Sequence, residues 1–582
     1  MSEKLLDQNL GRIWASLIIN ELINNDVTQF YLSPGMRNAP LIAALNHLKK
    51  FNPTVDIKLC VDERAAAYRA LGYSKGNGKA SALICTSGTA MANYMPAVIE
   101  AKKSNVPLIV ITADRPPELT HCDDNQTIDQ TKFYGDFISG ELYLGAPSIE
   151  IDPWALSTSL SNLINKAFFP QKGPVHFNCS FREPLEETET DVPDSFKKQA
   201  ALLLSKNSPT TKYLNSETTL SKDSIAFLAN EINQTQNGLL VIGSLNAYDD
   251  FDSIKSFIKL LNWPTYFDVS SSIKYEFNLQ DNTLPTFDHP EVQEEFVKNK
   301  PDTIFHIGGR LTSKHYYTYL KQVPDINLIT LNKNIEKEDP SHHTRTRVNA
   351  DIGPVIKELI PLIKSPKGHT FNKNGFIQFV ENKSGLIDNG PLSFPKISKT
   401  IIDNIEANAI LYLGNSTAVR SFDSYVSNSK KKQITVATNR GVSGIEGFIA
   451  SSVGLMDALK KSVFLVFGDI SFIHDLNSLY FLTEEKLPLK IILINNFSGG
   501  IFTLLPINKE KEVLNYVASP HQHKFKKAAE LVNIQYLQVT NEKELLEKFD
   551  QLQKANSHTL LEIFVDNDIN KSVYDQLKTI KL

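Results

Sequence analysis

Two short strings in the last quarter of the chain have the residue types to hold a divalent cation against a phosphate. Gly468-Asp469-Ile470-Ser471 follows an apolar run at 463–467, and Asn495-Asn496-Phe497-Ser498-Gly499-Gly500 closes a second run at 490–494. Mg²⁺ takes octahedral oxygen ligands and draws only one or two from side chains, the rest coming from phosphate and water. The Asp469 carboxylate and the Asn496 amide oxygen make such a pair. Gly468 lets the backbone come close to a phosphate, and the small residues after Asn496 let a main-chain carbonyl turn inward. The two positions are 27 residues apart (496 − 469). That leaves room for one crossover helix over 474–486 and puts both at the carboxyl ends of adjacent parallel strands, where open α/β sheets bind ligands. Singly, Gly-Asp and Asn-Asn are ordinary dipeptides; the joint spacing carries the chemistry.

The pair resembles the signature of thiamine-diphosphate enzymes, GDG followed on the next strand by NN. By that resemblance Asp469, the side chain of Asn496 and the main chain of Ser498 hold Mg²⁺, or Mn²⁺ in its place, against the diphosphate. Such enzymes also need one carboxylate in a dry site, hydrogen-bonded to N1′ of the aminopyrimidine, to favour the tautomer that activates C2 of the thiazolium. Lys58-Leu59-Cys60-Val61-Asp62-Glu63-Arg64 reads as a strand end running into a helix at 65–73, and Glu63 is the candidate. On its own, Asp62-Glu63 reads first as an acidic helix start placed favourably on the dipole. In this superfamily the carboxylate meets the cofactor across a subunit interface, which implies a homodimer or homotetramer.

Further strings narrow the resemblance. Ser33-Pro34-Gly35-Met36-Arg37, the run 112–119 (TADRPPEL), Asn125-Gln126, 173–178 (GPVHFN), 439–447 (NRGVSGIEG) and 501–506 (IFTLLP) are similar to those of the 2-succinyl-5-enolpyruvyl-6-hydroxy-3-cyclohexene-1-carboxylate synthase family of menaquinone biosynthesis. They cover the first and last thirds well and the middle weakly. The resemblance implies decarboxylation of 2-oxoglutarate and 1,4-addition of the resulting carbanion to isochorismate. It also implies substrate-binding roles for Arg37, Arg115, Asn125, Gln126, Arg420 and Arg440, with Lys314 from the middle third. Ser416, placed beside the substrates by the same matching, is counted with Gly468 and Ile445 as contacting the cofactor. Ile445 is the aliphatic wedge that bends it, and Ile501 and Phe502 line the apolar wall. Two dianionic substrates call for local cations, preferably arginine, whose fork binds carboxylate at two points. Read without the family, a lone arginine is a surface charge, and Ile445, Ile501 and Phe502 are core. Met36 stands where the family usually has Ser, Ile470 replaces a Gly or Leu, and Phe497-Ser498 differs from the commoner small pair.

The elements that must carry these residues follow from length and pattern. At 582 residues the chain exceeds a single core. The expectation is an α/β protein of three doubly wound parallel-sheet domains. These are a pyrimidine-binding one at 1–185, a central one with its preceding linker at 186–365, and a diphosphate- and Mg-binding one at 366–582. Apolar strand runs lie at 80–85 and 107–113; at 239–243, 265–269, 303–308 and 328–331; and at 410–413, 434–437, 463–467, 490–494 and 560–565. A helix is expected over 89–103, and the polar stretches 183–215 and 364–395 read as linkers. No internal sequence repeat is evident.

A net charge of −4 offers no field for nucleic acid. With no apolar run long enough to span a bilayer and no secretory leader, the reading is a cytoplasmic protein without membrane insertion. Cys60, Cys85, Cys122 and Cys179 lack metal spacing and read as buried free thiols. His342-His343 and His521-Gln522-His523 read as surface histidines. The middle third has glycines at strand ends, Gly243 and Gly308-Gly309, but no dinucleotide fingerprint. An acetolactate-synthase-type carboligase or decarboxylase would share the metal motif without needing so many arginines. A catalytically silent cofactor-binding protein would not need Glu63, Asp469 and Asn496 together.

Overall fold

Runs such as Leu108–Asp114 and Leu489–Asn495 are buried at every position, as strands covered on both faces must be. The computed structural model describes residues 8–188, 192–364, 366–426 and 431–582. It contains three six-stranded sheets, all of whose pairings are parallel.

The first sheet comprises β1 (Gln29–Leu32), β2 (Asp56–Leu59), β3 (Ser81–Cys85), β4 (Leu108–Asp114), β5 (Glu141–Leu144) and β6 (Pro174–Ser180), in the order β2-β1-β3-β4-β6-β5. Its helices include α1 (Leu10–Asn24), α2 (Glu63–Asn77), α3 (Thr89–Asn93), α4 (Met95–Lys103) and α5 (Asp194–Leu204). The helix expected over 89–103 is thus two, divided at Tyr94 just before Pro96. The supposed linker at 183–215 also carries structure. Helix α5 sends Phe196, Ala200, Leu203 and Leu204 into the first core, and buried Glu21 on α1 accepts the Thr210 N–H at 2.9 Å.

The middle sheet comprises β7 (Gly238–Ile242), β8 (Thr265–Phe267), β9 (Thr283–Leu284), β10 (Thr303–Ile307), β11 (Asn327–Leu331) and β12 (Thr344–Val348), in the order β12-β11-β10-β7-β8-β9. Counted from β7, this is the 3-2-1-4-5-6 order of dinucleotide-binding sheets. Helices α6 (Phe251–Leu261) and α7 (Lys314–Gln322) flank it, and α8 (Lys373–Asn389) occupies the second supposed linker.

The last sheet comprises β13 (Ile410–Leu413), β14 (Thr435–Thr438), β15 (Val463–Gly468), β16 (Leu489–Asn495), β17 (Gln535–Val539) and β18 (Thr559–Phe564), in the order β14-β13-β15-β16-β18-β17. Its order repeats that of the first sheet, although no sequence repeat relates the two. The helices used below are α9 (Thr417–Ser424), α10 (Phe448–Leu459), α11 (Asp469–His474) and α12 (Asn567–Leu577). The crossover expected as one helix at 474–486 is instead α11 followed by a 3₁₀ stretch, Leu476–Thr483. Between them the Asp475 carboxylate accepts the Ser478 hydroxyl at 2.7 Å and, at 2.6 Å, the Ile449 N–H in the first turn of α10. It thereby caps a helix whose own N-cap is the capless Gly447.

Helices α2 and α10 hold the same place in the two like sheets, each following its second strand, and they pack against one another. Glycines allow the approach: a Cβ on Gly72 would lie 2.0 Å from the Ser451 oxygen, and one on Gly454 would lie 1.8 Å from the Arg69 oxygen. Beside the crossing, buried Arg69 donates to Asp457 at 2.8 Å, which also accepts the Tyr31 hydroxyl at 3.0 Å. One apolar core therefore runs from the first sheet into the last. Gly454→Ala is expected to force the helices apart and cost about 3 kcal/mol in denaturant unfolding. The control, Gly385→Ala in α8, meets nothing within 4 Å and should be neutral or stabilising by about 0.5 kcal/mol. Equal stability of the two variants would show that the crossing tolerates spreading.

Among the described residues no helix is long and apolar enough to cross a membrane. Cys60, Cys85 and Cys179 are buried free thiols as expected, but Cys122 is exposed, since its loop runs over the surface.

Candidate active site

Register sets the first wall of the site. β15 and β16 pair with Gly468 opposite Ile494, so Asp469 and Asn496 emerge side by side. The buried Asp469 carboxylate accepts the N–H groups of Ile470 (2.8 Å), Asn496 (3.0 Å) and Ser498 (3.2 Å). Burial nevertheless raises its carboxyl to about 7. The Asn496 amide nitrogen donates to Asn567 Oδ1 at 2.8 Å, and among the described residues no hydrogen bond engages its oxygen. Asn567, at the start of α12, donates in return to the Asn496 carbonyl and the Ser498 hydroxyl, both at 2.9 Å. A Cβ on Gly468 would meet nothing within 4 Å, so the strand end is open beside the carboxylate.

His521 corrects the expectation of a surface histidine. Its side chain is 8% exposed, with Nε2 3.3 Å from Asp469 Oδ2 yet without an aligned hydrogen bond. The cause is local folding: the His521 N–H donates to the Phe497 carbonyl at 2.9 Å, which draws its loop over the β16 end. Burial holds the imidazole below its ordinary value. A buried nitrogen lacking a partner, an open strand end and a set of hard oxygens fit a cation shared with an anionic group. Among the described residues no cluster of three His, Cys, Asp or Glu could bind a metal alone.

The neighbouring strand ends supply a second wall. Ser416, at the start of α9, has φ 66°, a conformation rare for a residue with a side chain. Its carbonyl is held by Arg420 Nη1 at 2.7 Å. Asn415 donates to the carbonyls of Asn439 and Gly444, both at 2.7 Å, and accepts Arg440 Nη1 at 3.1 Å. The first unit braces the same loop. Lys75 donates to the Thr438 carbonyl at 2.8 Å, and Glu100 accepts the N–H groups of Gly441 and Val442 at 3.0 and 2.9 Å. Burial alone would raise the Glu100 carboxyl, but Lys75 and those two N–H groups outweigh it and hold it below the usual range. Ile445 is exposed, its N–H bound by Glu446 at 2.7 Å, and Glu446 in turn accepts the Tyr68 hydroxyl at 3.0 Å. Ile501 and Phe502 lie half-buried on a 3₁₀ turn, Gly500–Leu504.

Burial lowers the Arg440 guanidinium from its ordinary value, with Arg420 and Arg310 acting in the same direction and Asp268 and Asp423 opposing them. The middle unit thus contributes counter-charge as well as bulk. Lys314 is exposed at the start of α7. Its neighbours Ser313 and His315 both bind Asp288, which also accepts the Ser424 hydroxyl of α9 at 2.6 Å, so α7 docks on the helix that carries Arg420. At the β7/β10 switch point lies a crevice of about 500 Å³. Asp249 and Asp252 at the start of α6 line it together with Lys255, Arg310 and Arg440, so charges of both signs meet there.

The first sheet gathers its own set. Buried Arg37 donates to the Phe181 carbonyl at 2.9 Å and to Glu183 at 3.3 Å, while its Nε has no partner. Burial and the neighbouring Arg115 both lower its guanidinium from the ordinary value. Arg115 reaches Ser87 Oγ (2.5 Å), the Asn125 carbonyl (2.6 Å) and Asp124 (3.0 Å). Asn125 and Gln126 are exposed. Glu63 begins α2, half-buried, and accepts Asn93 Nδ2 at 3.3 Å. Among the described residues no hydrogen bond or ion pair joins Glu63, Arg37, Arg115, Asn125 or Gln126 to Asp469, Asn496, Ser416 or Ile445, so the polar set on the first sheet and that on the last are separate in their bonding.

Over 99% of its length the chain is 36% identical to the whole of a 2-succinyl-5-enolpyruvyl-6-hydroxy-3-cyclohexene-1-carboxylate synthase from Syntrophus aciditrophicus. The chain belongs to the family of these synthases. A relative of the same name from Chlorobium chlorochromatii is 32% identical, with 96% of this chain and 95% of that protein covered. Three family models match in order: the N-terminal TPP binding domain of thiamine pyrophosphate enzymes at residues 14–133, their middle domain at 197–372 and their C-terminal TPP binding domain at 417–563. A solved thiamin diphosphate-dependent enzyme from Mycobacterium smegmatis shares the fold, with TM-score 0.69 at 15% identity over 96% of this chain and all of that one.

Within this synthase family fold, sequence reasoning missed His521, Asn567, Asn415, Lys75 and Glu100. Only the His521-Gln522-His523 string gave any signal. The others act from elements remote in the chain, in ordinary helical or turn contexts.

Proposed function

We propose that this chain is a cytoplasmic enzyme that decarboxylates 2-oxoglutarate and adds the resulting carbanion 1,4 to isochorismate, giving 2-succinyl-5-enolpyruvyl-6-hydroxy-3-cyclohexene-1-carboxylate for menaquinone biosynthesis. Thiamine diphosphate supplies the electron sink for decarboxylation. Asp469, the Asn496 side-chain oxygen and the Ser498 main chain would hold Mg²⁺, or Mn²⁺, and with it the diphosphate, with Gly468 and Ser416 alongside. Ile445 would pack against the cofactor, and Glu63 would hold a proton at its aminopyrimidine. Arg37, Arg115, Asn125 and Gln126 on one side, and Arg420, Arg440 and Lys314 on the other, take the substrate carboxylates. Ile501 and Phe502 keep water from the reacting carbon.

The observation that supports this reading is a hard-oxygen set on the last sheet and an arginine-and-carboxylate set on the first that share no hydrogen bond or ion pair among the described residues, and we read them as two half-sites. Two chains, or two pairs of chains, complete them across an interface. Exposed Leu59, Val61, Ile473, Leu476 and Tyr480 cluster where the start of α2 meets α11, linked by Arg64 to the His474 carbonyl at 2.7 Å. Such an apolar patch suits burial by a second copy.

The test is CO₂ release from purified protein supplied with thiamine diphosphate and Mg²⁺. Release is expected from 2-oxoglutarate, with stoichiometric carboligation once isochorismate is added. Faster release from pyruvate would instead place the chain with the acetolactate-synthase type.

A further inference from the structure

Gln130 is 1% exposed, and a buried amide must find partners for both donors and its acceptor. Its Oε1 accepts the Gly88 N–H at 2.8 Å, while Nε2 donates to the Ala113 carbonyl at 3.1 Å and to Asn178 Oδ1 at 2.8 Å. Because a backbone N–H can only donate and a carbonyl can only accept, the amide has one permitted orientation.

The network extends away from the site. Asn178 donates to Asp114 at 2.8 Å, whose other oxygen accepts the Arg115 N–H at 2.7 Å. Asn178 Oδ1 also accepts the Thr112 hydroxyl at 2.8 Å. That hydroxyl lies 2.8 Å from His176 Nε2, and His176 Nδ1 lies 3.0 Å from Glu141. Gln130 is thus anchored to three strands, β4, β6 and β5.

What it holds is the Ser87-Gly88 turn. Gly88 has φ 85°, and a Cβ there would lie 3.0 Å from Gln126 Cγ, so the turn is pressed flat against Gln126. Gln126 donates to the Ser87 carbonyl at 3.2 Å, and Arg115 donates to the Ser87 hydroxyl at 2.5 Å. Both side chains assigned to a substrate carboxylate therefore rest on a two-residue seat, fixed from beneath by one amide oxygen.

We propose that Gln130 is a positioning residue: by accepting the Gly88 N–H it sets the seat of Gln126 and Arg115, and through them the affinity for the substrate held on the first-sheet side. The inference rests on the placing of substrate at Arg115 and Gln126.

The experiment compares Gln130→Met, Gln130→Glu, Gln126→Ala, Arg115→Lys and the Gln130→Met/Gln126→Ala double variant. Steady-state kinetics with each substrate, cofactor affinity by calorimetry and Tm are measured for all five. Gln130→Met is expected to raise one KM roughly 5- to 30-fold, from an unsatisfied buried N–H, with kcat and cofactor affinity little changed. The affected substrate should be the one that Gln126→Ala affects, and the double variant should resemble Gln126→Ala rather than multiply the two effects. Gln130→Glu keeps the acceptor and should restore KM even if Tm falls; it carries the test should Gln130→Met not fold. An unchanged KM in Gln130→Met, multiplicative effects in the double variant, or a raised KM with native Tm in Gln130→Glu would each overturn the inference. If Gln126→Ala and Arg115→Lys themselves leave both KM values unchanged, the substrate placement has failed and the inference falls with it. If those two raise KM while Gln130→Met does not, the positioning role alone is lost.

Discussion

Glu63→Gln is expected to lower turnover on the order of 10²- to 10⁴-fold while leaving the chain folded, the loss typical of removing a positioned acid–base group. Glu63 is the first residue of α2, half-buried, and among the described residues hydrogen-bonded only to Asn93, at 3.3 Å. The helix start does not depend on it, because Asp62 caps the Ala65 N–H at 3.1 Å. Glutamine keeps the length and an oxygen for Asn93 and gives up the favourable charge at the helix N-terminus, about 0.3–1 kcal/mol. What it cannot do is hold a proton at N1′ of the aminopyrimidine as a carboxylate does. The measurements are CO₂ release under saturating 2-oxoglutarate, Tm, and cofactor affinity. Turnover within threefold of wild type would remove Glu63 from the mechanism, and a collapse of Tm would mean that its role is structural.

The sequence disclosed the strand ends that matter because their chemistry is local. Two ordinary dipeptides, each closing an apolar run, fall one crossover apart, and arginines sit in proline or small-residue turns; Asp469, Asn496, Arg115 and Arg440 stood out on that ground. The fold class was legible for a related reason: strands buried on both faces, such as β4 and β16, carry unbroken apolar runs, 108–111 and 491–494. The edge strands β5, β12 and β17 escaped because they are partly exposed and mix polar with apolar residues. Helices α5 and α8 escaped because they are set in polar surroundings: α5 is a short helix within an acidic, Ser-, Thr- and Pro-rich stretch, and the apolar residues of α8 are spaced by lysine, glutamine and asparagine. Bracing contacts were least accessible. Lys75 meets Thr438 across 363 residues, and Asn567 meets Asn496 across 71, and no local pattern announces a partner so remote. His521 was misjudged for the same reason, since only the turn of its loop onto Phe497 brings it to Asp469.

Asp469→Ala is expected to weaken the Mg²⁺-dependent part of cofactor binding by roughly 100-fold or more, beyond the 10–100-fold typical of disturbing a metal ligand's supporting partner. The variant also strips three backbone N–H groups of their acceptor, so some loss of stability accompanies it, and affinity alone would not identify a metal ligand. Calorimetric titration of thiamine diphosphate with and without Mg²⁺ separates the two effects. A structural lesion lowers affinity in both buffers, whereas loss of a ligand abolishes the difference between them. If Mg²⁺ strengthens binding equally in wild type and variant, Asp469 is not a ligand. The same variant also tests how the two half-sites meet. Co-expressed with Glu63→Gln and purified through two different tags, it yields mixed dimers. With half-sites shared between chains, one of the two sites in each mixed dimer has both Glu63 and Asp469 intact, and the other carries both lesions. Isolated mixed dimers should then regain about half of wild-type activity, and an unsorted random mixture about a quarter. Were both half-sites contributed by a single chain, every site would carry one lesion and no mixture would recover activity. The recovered fraction thus reads out, in one assay, whether the oxygen set on the last sheet and the carboxylate on the first belong to one centre and which chains supply them.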